Sequence, residues 1–371
     1  PHSVVVIHKH PVEVNGKRTD EIIFVQPRDS KQELWAGKRL GVDGVKQILG
    51  FEVVVPNTAF SKTDCKIDGM NYTFFPIDKN DTRDTKSKSD LFDLKKHFLT
   101  QTVRQTGSQN LARYMAQLRE IKTEDELILM KKAIGITCKA QFELMKNLTP
   151  KMAEYQSEAL VEFHFKNEGA EHAGFPSIHG SGGNSCILHY VSNRRMFEEN
   201  DLLVSDIGAE YHGYTADVTR TLPVNGKYSK EQAIIYNLVL QAQSAGIDSC
   251  IAGNSFWVAS QVANAIIADG LKQLGIIKKT KDVKKYFPHG TSHYLGLDVH
   301  DVGTYGKLTP GQVITVEPGI YIPANSECDP KWWNIGVRIE DDILITKEKP
   351  INLSECVPRT IHEIEEIMSK K

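Results

Sequence analysis

Three histidines fall within twelve residues of this sequence, interleaved with glycine. They are His289, His293 and His300, in the segment FPHGTSHYLGLDVHD. One histidine alone is more often a packed core or surface side chain than a ligand. Three so close together favour a site, because imidazole carries protons and binds metals near neutral pH. A fourth histidine, His189, follows GSGGN, a glycine run that lacks the spacing of a dinucleotide-binding loop.

Two aspartates lie in a segment whose pattern predicts a β-hairpin. Residues 202–221 read LLVSDIGAEYHGYTADVTRT, and we predict the turn at Tyr211 and His212. In that register Asp206 and Asp217 face each other directly, whereas a slip of one residue would separate them onto opposite faces. Opposed carboxylates repel unless a positive charge lies between them. Aspartates in a hairpin are usually solvated, so the pair alone favours a functional site only modestly.

Two glutamates lie in apolar, strand-like segments: Glu317 in VITVEPGIYI and Glu340 in VRIEDDILIT. Burying an unpaired carboxylate costs several kcal/mol, so such acids need protons, partners or metal. Two Asp, two Glu and one neutral His carry a formal charge of −4, which two divalent cations would balance. Carboxylate-rich ligation favours a hard metal, so we expect two Mn²⁺ ions, with Co²⁺ or Zn²⁺ as alternatives.

The elements that must position these residues include two helix pairs of the same design. Residues 123–126 (TEDE) and 229–232 (SKEQ) are capping boxes that open long helices with apolar periodicity. A second helix is predicted in each half, over residues 153–168 and 256–274. The capping boxes lie 106 residues apart, as do Gly169 and Gly275 after the second helices. The spacing predicts an internal duplication within an α+β fold.

The residues before Lys122 predict a smaller α/β domain. Strands are expected over residues 4–7, 21–25 and 51–55, with a helix over residues 41–49. A turn is expected at Asn15-Gly16. Residues 81–90 (DTRDTKSKSD) are expected to form a polar loop. We place the domain boundary near Lys122.

Composition excludes several classes of function. The 371 residues suffice for two domains, and the formal charge of −2 supplies no strong field to collect nucleic acid or anionic membrane. No apolar run approaches the ~20 residues of a membrane span. Six scattered cysteines without a C-x-x-C motif predict reduced thiols and a cytoplasmic location.

Taken together, the chain resembles the metallopeptidase family of aminopeptidase P and prolidase. The segments around His189, DIGAEYHGYTADVTRT, HGTSHYLGLDVHD, TVEPGIYI and VRIEDD occur in the family's order. The resemblance implies a pita-bread catalytic domain of two duplicated halves over residues 123–371. It also implies a creatinase-like α/β domain over residues 1–122, which the chain is expected to enter after that domain's first ~60 residues.

The resemblance implies that five residues are metal ligands: Asp206, Asp217, His293, Glu317 and Glu340. Asp217 and Glu340 would bridge both ions, and Asp206 would chelate one of them. His293 and Glu317 would hold the other, and Glu317 would also shuttle a proton.

Five further residues are implied to surround the substrate. His189 and His300 would stabilise the tetrahedral intermediate as oxyanion donors. His289 would line the substrate pocket, and Arg338 would orient the carboxylates. Tyr305 in DVGTYG is expected to support the site from behind these residues.

The implied reaction is metal-dependent hydrolysis of the Xaa-Pro bond, which releases the residue before proline from peptides. A prolidase restricted to Xaa-Pro dipeptides is one alternative, because the ending CVPRTIHEIEEIM is also similar to prolidases. A non-catalytic pita-bread module that binds peptides is the alternative from another class. Such modules have lost ligands, whereas this chain keeps all five. We also expect a homodimer or higher homo-oligomer.

Overall fold

The computed structural model describes residues 3–65 and 108–370, and the chain forms two compact units, Pro1–Ala112 and Arg113–Lys371. The division falls inside a helix, Ser108–Arg119. The functional boundary at residues 122/123 stays a prediction. No helix in the described ranges is both long and apolar enough to cross a bilayer.

The amino-terminal unit has a three-stranded sheet beside two helices. Its elements are β1 (Val4–Val14), β2 (Lys17–Val25), α1 (Ser30–Ala36), α2 (Gly41–Leu49) and β3 (Val54–Pro56). β1 and β2 pair antiparallel, and β3 pairs parallel with β2. The predicted turn has positive φ at Asn15 (51°) and Gly16 (74°), as a two-residue hairpin requires. The predicted loop at residues 81–90 lies outside the described residues.

The carboxy-terminal unit begins with helices and alternates them with short strands. In chain order its helices are α3 (Ser108–Arg119), α4 (Glu124–Asn147), α5 (Glu154–Asn167), α6 (Lys230–Ser249), α7 (Val258–Gln273) and α8 (Ile361–Ser369). The strands that position the site are β4 (His172–Ala173), β5 (Ile178–Ser181), β6 (Leu202–Ile207), β7 (Ala209–Tyr211), β8 (Tyr214–Thr215), β9 (Val218–Pro223), β10 (Val313–Val316), β11 (Gly319–Ile322), β12 (Ile335–Arg338), β13 (Asp341–Leu344) and β14 (Ile351–Asn352).

The two predicted helix pairs are present, α4 with α5 and α6 with α7. Thr123 and Ser229 form complete capping boxes, each accepting a backbone N–H from the third helical residue. Gly169 and Gly275 have φ values of 97° and 71°, where glycine ends a helix at the lowest steric cost. The buried apolar faces of both pairs share one core with the strands. The duplicated design read from the sequence is therefore confirmed.

The strands of the two halves meet along β9. The backbone N–H of Arg338 donates to the Thr221 hydroxyl at 3.0 Å, and that of Glu340 donates to the Thr219 carbonyl at 3.1 Å. This seam connects the β5-β6-β9 sheet of the first half to the β12–β13 segment of the second. Acids from both halves consequently reach one place.

The turn of the predicted hairpin lies one residue further along than expected. His212 and Gly213 have φ values of 50° and 88°, and Asp206 pairs with Thr219. The prediction that Asp206 directly opposes Asp217 is therefore wrong. The glycine permits the positive φ of a primed turn at this point. Because moving the turn by one residue shifts each partner by two, both aspartates stay on one face as diagonal neighbours.

Candidate metal centre

All ten candidate site residues predicted from the sequence line one cavity in the carboxy-terminal unit. Its volume is about 340 Å³. The ten predicted residues in its lining are His189, Asp206, Asp217, His289, His293, His300, Tyr305, Glu317, Arg338 and Glu340. Leu188, Gly290 and Ser292 complete the lining.

The centre of the cavity is a cluster of Asp217, His293 and Glu340. One possible ligand atom of each lies within 4.8 Å of the others. His293 Nδ1 lies 3.0 Å from the Tyr294 carbonyl oxygen, which can only accept. Nδ1 therefore carries the proton, and Nε2 turns its lone pair toward the acids, 3.4 Å from Asp217 Oδ2. Burial lowers the pKa of His293 to about 4, so the ring is neutral and can ligate.

The carboxylates of the cluster have too few partners for their burial. Asp217 and Glu340 are 5% and 2% exposed. Burial, followed by their neighbouring acids, raises the pKa of both well above the ordinary range. Asp217 Oδ1 and Asp206 Oδ1 are buried without a hydrogen-bond partner. Orphaned carboxylate oxygens beside a neutral imidazole lone pair fit a divalent cation, which supplies the missing positive charge.

Asp206 is held on one side by an ion pair. Arg338 Nη2 donates to Asp206 Oδ2 at 2.6 Å, and Arg338 Nη1 donates to the Tyr321 hydroxyl at 2.9 Å. Tyr321 lies 2.8 Å from His289 Nε2, while His289 Nδ1 lies 2.7 Å from the Gly290 carbonyl. Because that carbonyl needs the Nδ1 proton, Nε2 accepts from Tyr321. One continuous chain of hydrogen bonds thus fixes Asp206 and the His289 ring.

Glu317 lies between the rings of His289 and His293. Its carboxylate oxygens lie 3.6 Å from His293 Nε2 and 3.6 Å from His289 Nδ1. Burial raises the pKa of Glu317 to about 8, although the Arg338 charge opposes the shift. A carboxyl group poised near neutrality can both take up and release a proton. The location of this residue between β10 and β11 agrees with the strand-like pattern of its segment.

His300 and Tyr305 come from a loop that is anchored from α3 and the segment after it. Arg119 Nη2 lies 2.5 Å from Asp301 Oδ1, beside His300. Glu120 accepts from the backbone N–H and hydroxyl of Thr304 at 2.9 and 2.8 Å, beside Tyr305. These contacts hold the loop against the cavity. The ring of His300 also packs against that of His293, with centroids 4.4 Å apart.

The segment that carries His189 is held by Glu154, a fully buried acid of α5. Glu154 accepts five hydrogen bonds at 2.7–3.0 Å, from Ser181 N and Oγ, Asn184 Nδ2, Tyr190 OH and Arg195 N. Sequence reasoning missed this residue, because an acid in the first turn of a helix is ordinarily a capping charge. Tyr321 was also missed. The one signal for it was a polar hydroxyl in the apolar strand GIYI, two residues from Gly319.

The chain is similar to known metallopeptidases. Residues 128–347 match the Metallopeptidase family M24, and residues 1–67 match the Aminopeptidase P, N-terminal domain. The Xaa-Pro aminopeptidase of Escherichia coli (strain K12) is 34% identical over 384 residues, covering 99% of this chain and 86% of that protein. Xaa-Pro aminopeptidase 3 of Homo sapiens is 33% identical, covering 100% of this chain and 74% of that protein.

Solved structures of aminopeptidase P have a fold similar to that of this chain. Escherichia coli aminopeptidase P with the inhibitor Pro-Leu matches with a TM-score of 0.87 at 32% identity, covering 100% of this chain and 86% of that one. Pseudomonas aeruginosa aminopeptidase PepP matches at 0.84 and 30%, with the same coverage. The predicted pita-bread domain and its α/β amino-terminal domain are confirmed. This chain therefore belongs to metallopeptidase family M24, in the group that carries an aminopeptidase P amino-terminal domain.

Proposed function

We propose that this chain is an Xaa-Pro aminopeptidase, which hydrolyses the bond between an amino-terminal residue and proline. One observation carries the proposal: four acids line a single cavity together with a neutral histidine whose free nitrogen faces them. Of the described residues in that lining, only Arg338 has a permanent positive charge. The Escherichia coli and Homo sapiens relatives, which align over 99% and 100% of this chain, are Xaa-Pro aminopeptidases.

Two divalent ions would be held by Asp206, Asp217, His293, Glu317 and Glu340. Four carboxylates and one imidazole favour a hard cation, and we propose Mn²⁺, with Co²⁺ and Zn²⁺ as alternatives. When bound, such ions supply a nucleophile at neutral pH and polarise the scissile carbonyl. Arg338 orients Asp206 through their 2.6 Å ion pair and thereby fixes that side of the site.

The remaining roles belong to side chains that move or donate protons. Glu317 takes up the proton that the attacking water releases and delivers it to the prolyl nitrogen as the bond breaks. His189 and His300 donate hydrogen bonds to the oxygen on which charge develops. Tyr305 supports His300 from the same anchored loop.

The proposed preference for proline follows from the lack of a hydrogen-bond acceptor on the His289 ring for the amide N–H of the residue after the scissile bond. A prolyl amide has no N–H, and its ring fixes φ near −65°. The His289 ring is already committed, with Nδ1 to the Gly290 carbonyl and Nε2 to the Tyr321 hydroxyl. It therefore presents a flat surface without an acceptor for an ordinary amide proton. An alanine at this place would leave its N–H buried and unpaired, which costs binding.

The first test compares three peptide series, Xaa-Pro, Xaa-Pro-Yaa and Xaa-Ala-Yaa, by mass spectrometry with Mn²⁺-loaded protein. We expect free Xaa from Xaa-Pro-Yaa and almost none from the alanine series. Glu317→Gln is the matched inactive control. Cleavage of dipeptides alone would favour the prolidase alternative, and equal cleavage of the alanine series would remove proline specificity. Binding of all peptides without cleavage would favour the non-catalytic module. The cytoplasmic location and homo-oligomeric state stay predictions.

A further inference from the structure

Two partly exposed aromatic side chains, Tyr305 and Trp257, stack on each other beside the cavity. Tyr305 lines the cavity, and its ring lies 5.7 Å from that of Trp257, with the two planes inclined by only 15°. Trp257 is 47% exposed and Tyr305 is 39% exposed. The pair thus continues the cavity lining outward as a flat apolar surface. Exposed apolar surface that is continuous with a binding cavity is a common mark of ligand contact.

The stack is rigid because buried residues support it. The Tyr305 ring makes T-shaped contacts with the rings of Phe256 and Tyr294, with centroids 4.8 and 5.1 Å away. The Phe256 backbone N–H donates to the Gly306 carbonyl at 2.9 Å, which fixes Trp257 beside Tyr305. A surface that is ordered before a ligand arrives loses little conformational entropy on binding.

The backbone of the loop is also unusual at this point. Tyr305 has φ of 54°, a left-handed conformation that bulky residues rarely adopt. Its neighbour Gly303 approaches the Tyr294 ring so closely that an added Cβ would lie 2.0 Å from it. The loop is therefore held in a conformation that its own side chains disfavour and that presents the Tyr305 ring to the cavity. Such conformations concentrate at binding sites.

The direction of a bound peptide decides what this surface meets. An aminopeptidase leaves one residue before the scissile bond, so the rest of the peptide must extend outward past the opening. A cavity of about 340 Å³ is near the small end of ligand cavities. Residues beyond proline consequently extend out of the cavity, and Trp257, which is exposed and stacked on the lining residue Tyr305, offers them an aromatic surface.

We propose that Trp257 and Tyr305 form a subsite for an aromatic or other large apolar side chain in the one or two positions after proline. The proposal rests on the proposed function and adds a sequence preference to it. Aromatic side chains suit the subsite because the exposed indole face offers stacking in addition to burial of apolar area.

The test uses three peptides of equal length, Ala-Pro-Gly-Gly, Ala-Pro-Phe-Gly and Ala-Pro-Gly-Phe. The aromatic gain is defined as kcat/KM of the better phenylalanine peptide divided by that of the glycine peptide. We expect a gain of about three- to tenfold in the wild type, mostly in KM. The gain should fall to about one in Trp257→Ala and be intermediate in Trp257→Phe. Phe163→Ala, which removes another exposed aromatic ring (61% exposed) on α5, is the matched control and should keep the full gain.

Several results would overturn the subsite. The first is the absence of an aromatic gain in the wild type, and the second is a gain that survives in Trp257→Ala. The third uses a fourth peptide, Phe-Pro-Gly-Gly: a higher kcat/KM for this peptide alone would place the aromatic preference before proline. If Trp257 instead covers a contact between copies of the chain, sedimentation would show an altered oligomer in Trp257→Ala with the gain retained. Trp257→Gln, which keeps a long side chain without the ring, replaces Trp257→Ala if that variant does not fold.

Calorimetry with Pro-Gly-Gly, Pro-Phe-Gly and Pro-Gly-Phe separates this proposal from the function on which it rests, since these peptides need not be cleaved. We expect a phenylalanine peptide to bind about three- to tenfold more tightly than Pro-Gly-Gly, in a manner that depends on Trp257. Binding of this kind without cleavage of any proline peptide would remove the proposed function and keep the subsite. Cleavage without a Trp257-dependent preference would do the reverse.

Discussion

Two adjacent acids, Glu340 and Asp341, are buried almost equally but are treated in opposite ways. Asp341 is fully buried and accepts hydrogen bonds from Arg220 at 2.8 Å, Gln243 at 2.7 Å and Ser354 at 2.7 Å. Glu340, 2% exposed, accepts a hydrogen bond from the Thr219 hydroxyl at 2.6 Å, and burial and neighbouring acids raise its pKa. Consecutive residues of an extended segment face opposite sides, so one acid points into the core and the other into the cavity.

The difference separates a structural acid from a functional one. Arg220 is itself fully buried, and besides Asp341 it donates to the carbonyls of Thr219, Glu340, Val357 and Pro358. The protein therefore supplies the counter-charge of Asp341 from within. On the cavity side Arg338 supplies one positive charge to Asp206, and the counter-charge of the other acids must come from protons or from bound ions. A buried acid to which the protein supplies no positively charged partner is therefore a candidate functional residue.

The largest effect is expected for the acid that moves a proton. Glu317→Gln keeps the shape and one ligand oxygen but cannot shuttle a proton, so kcat should fall by about 10⁴-fold. His189→Ala removes one stabilising hydrogen bond and should cost about 10²- to 10³-fold. Steady-state kinetics on an Xaa-Pro-Yaa peptide measure both. Metal content is determined on each variant, and wild-type turnover by metal-replete Glu317→Gln would show that the assigned role is wrong.

The second prediction concerns the free energy of unfolding of the metal-free protein at pH 8. Asp341→Asn leaves the buried Arg220 without its counter-charge and should lower that free energy by about 3–5 kcal/mol. Glu340→Gln removes a buried carboxyl group whose pKa burial and neighbouring acids raise, and should therefore increase the free energy of unfolding. Urea denaturation of both variants and the wild type measures the two signs. Equal destabilisation by the two substitutions would contradict the assignment of Asp341 as a structural acid and Glu340 as a functional one.

The third prediction is the pH dependence of stability that Glu317 contributes. Glu317 has a folded pKa of about 8 against an ordinary value of 4.5, so the folded metal-free protein holds a proton that the unfolded chain has released. Between these values stability falls as pH rises, by about 1.4 kcal/mol per pH unit for one group. Below pH 6.5 His289 and His293, whose pKa values burial lowers to about 4, contribute the opposite slope. The informative window is therefore pH 6.5–8.

The contribution of Glu317 to this pH dependence is isolated by comparing the wild type with Glu317→Gln. The free energy of unfolding of the wild type minus that of Glu317→Gln should fall by about 1.4 kcal/mol per pH unit across this window. Saturating Mn²⁺ should abolish the fall, because the ions take the place of the proton. A difference that is flat without metal would mean that Glu317 ionises normally in the folded protein.

The sequence predicted the members of the site better than their mutual geometry. Period-two patterning placed Glu317 and Glu340 in apolar, strand-like segments, and the structure has them in the short gaps between β10 and β11 and between β12 and β13. Histidine density marked His293, since local sequence alone carries that signal. The direct pairing of Asp206 with Asp217 was wrong, since the register depended on which residues the turn would use. Local patterns resolve turn position poorly when several turn-forming residues are adjacent.

Residues that act over long sequence distances could not be predicted at all. Arg220 sits in the alternating segment DVTRT, where a strand arginine would ordinarily reach solvent. Its partner Asp341 is 121 positions away. Glu154 and Tyr321 likewise have roles only through contacts that the tertiary structure creates. The duplication itself was visible because each helix pair carries its own capping box and terminal glycine.

We infer that bound ions supply most of the positive charge that neutralises the cavity acids, because Arg338 is the one permanently charged cation among the described residues of the lining. Elemental analysis of protein reconstituted with Mn²⁺, performed with an activity assay on the same sample, tests it most directly. We predict saturation at two ions per chain, with activity that rises with occupancy and is lost on chelation. Saturation at one ion or none, with full Xaa-Pro-Yaa cleavage, would contradict the account.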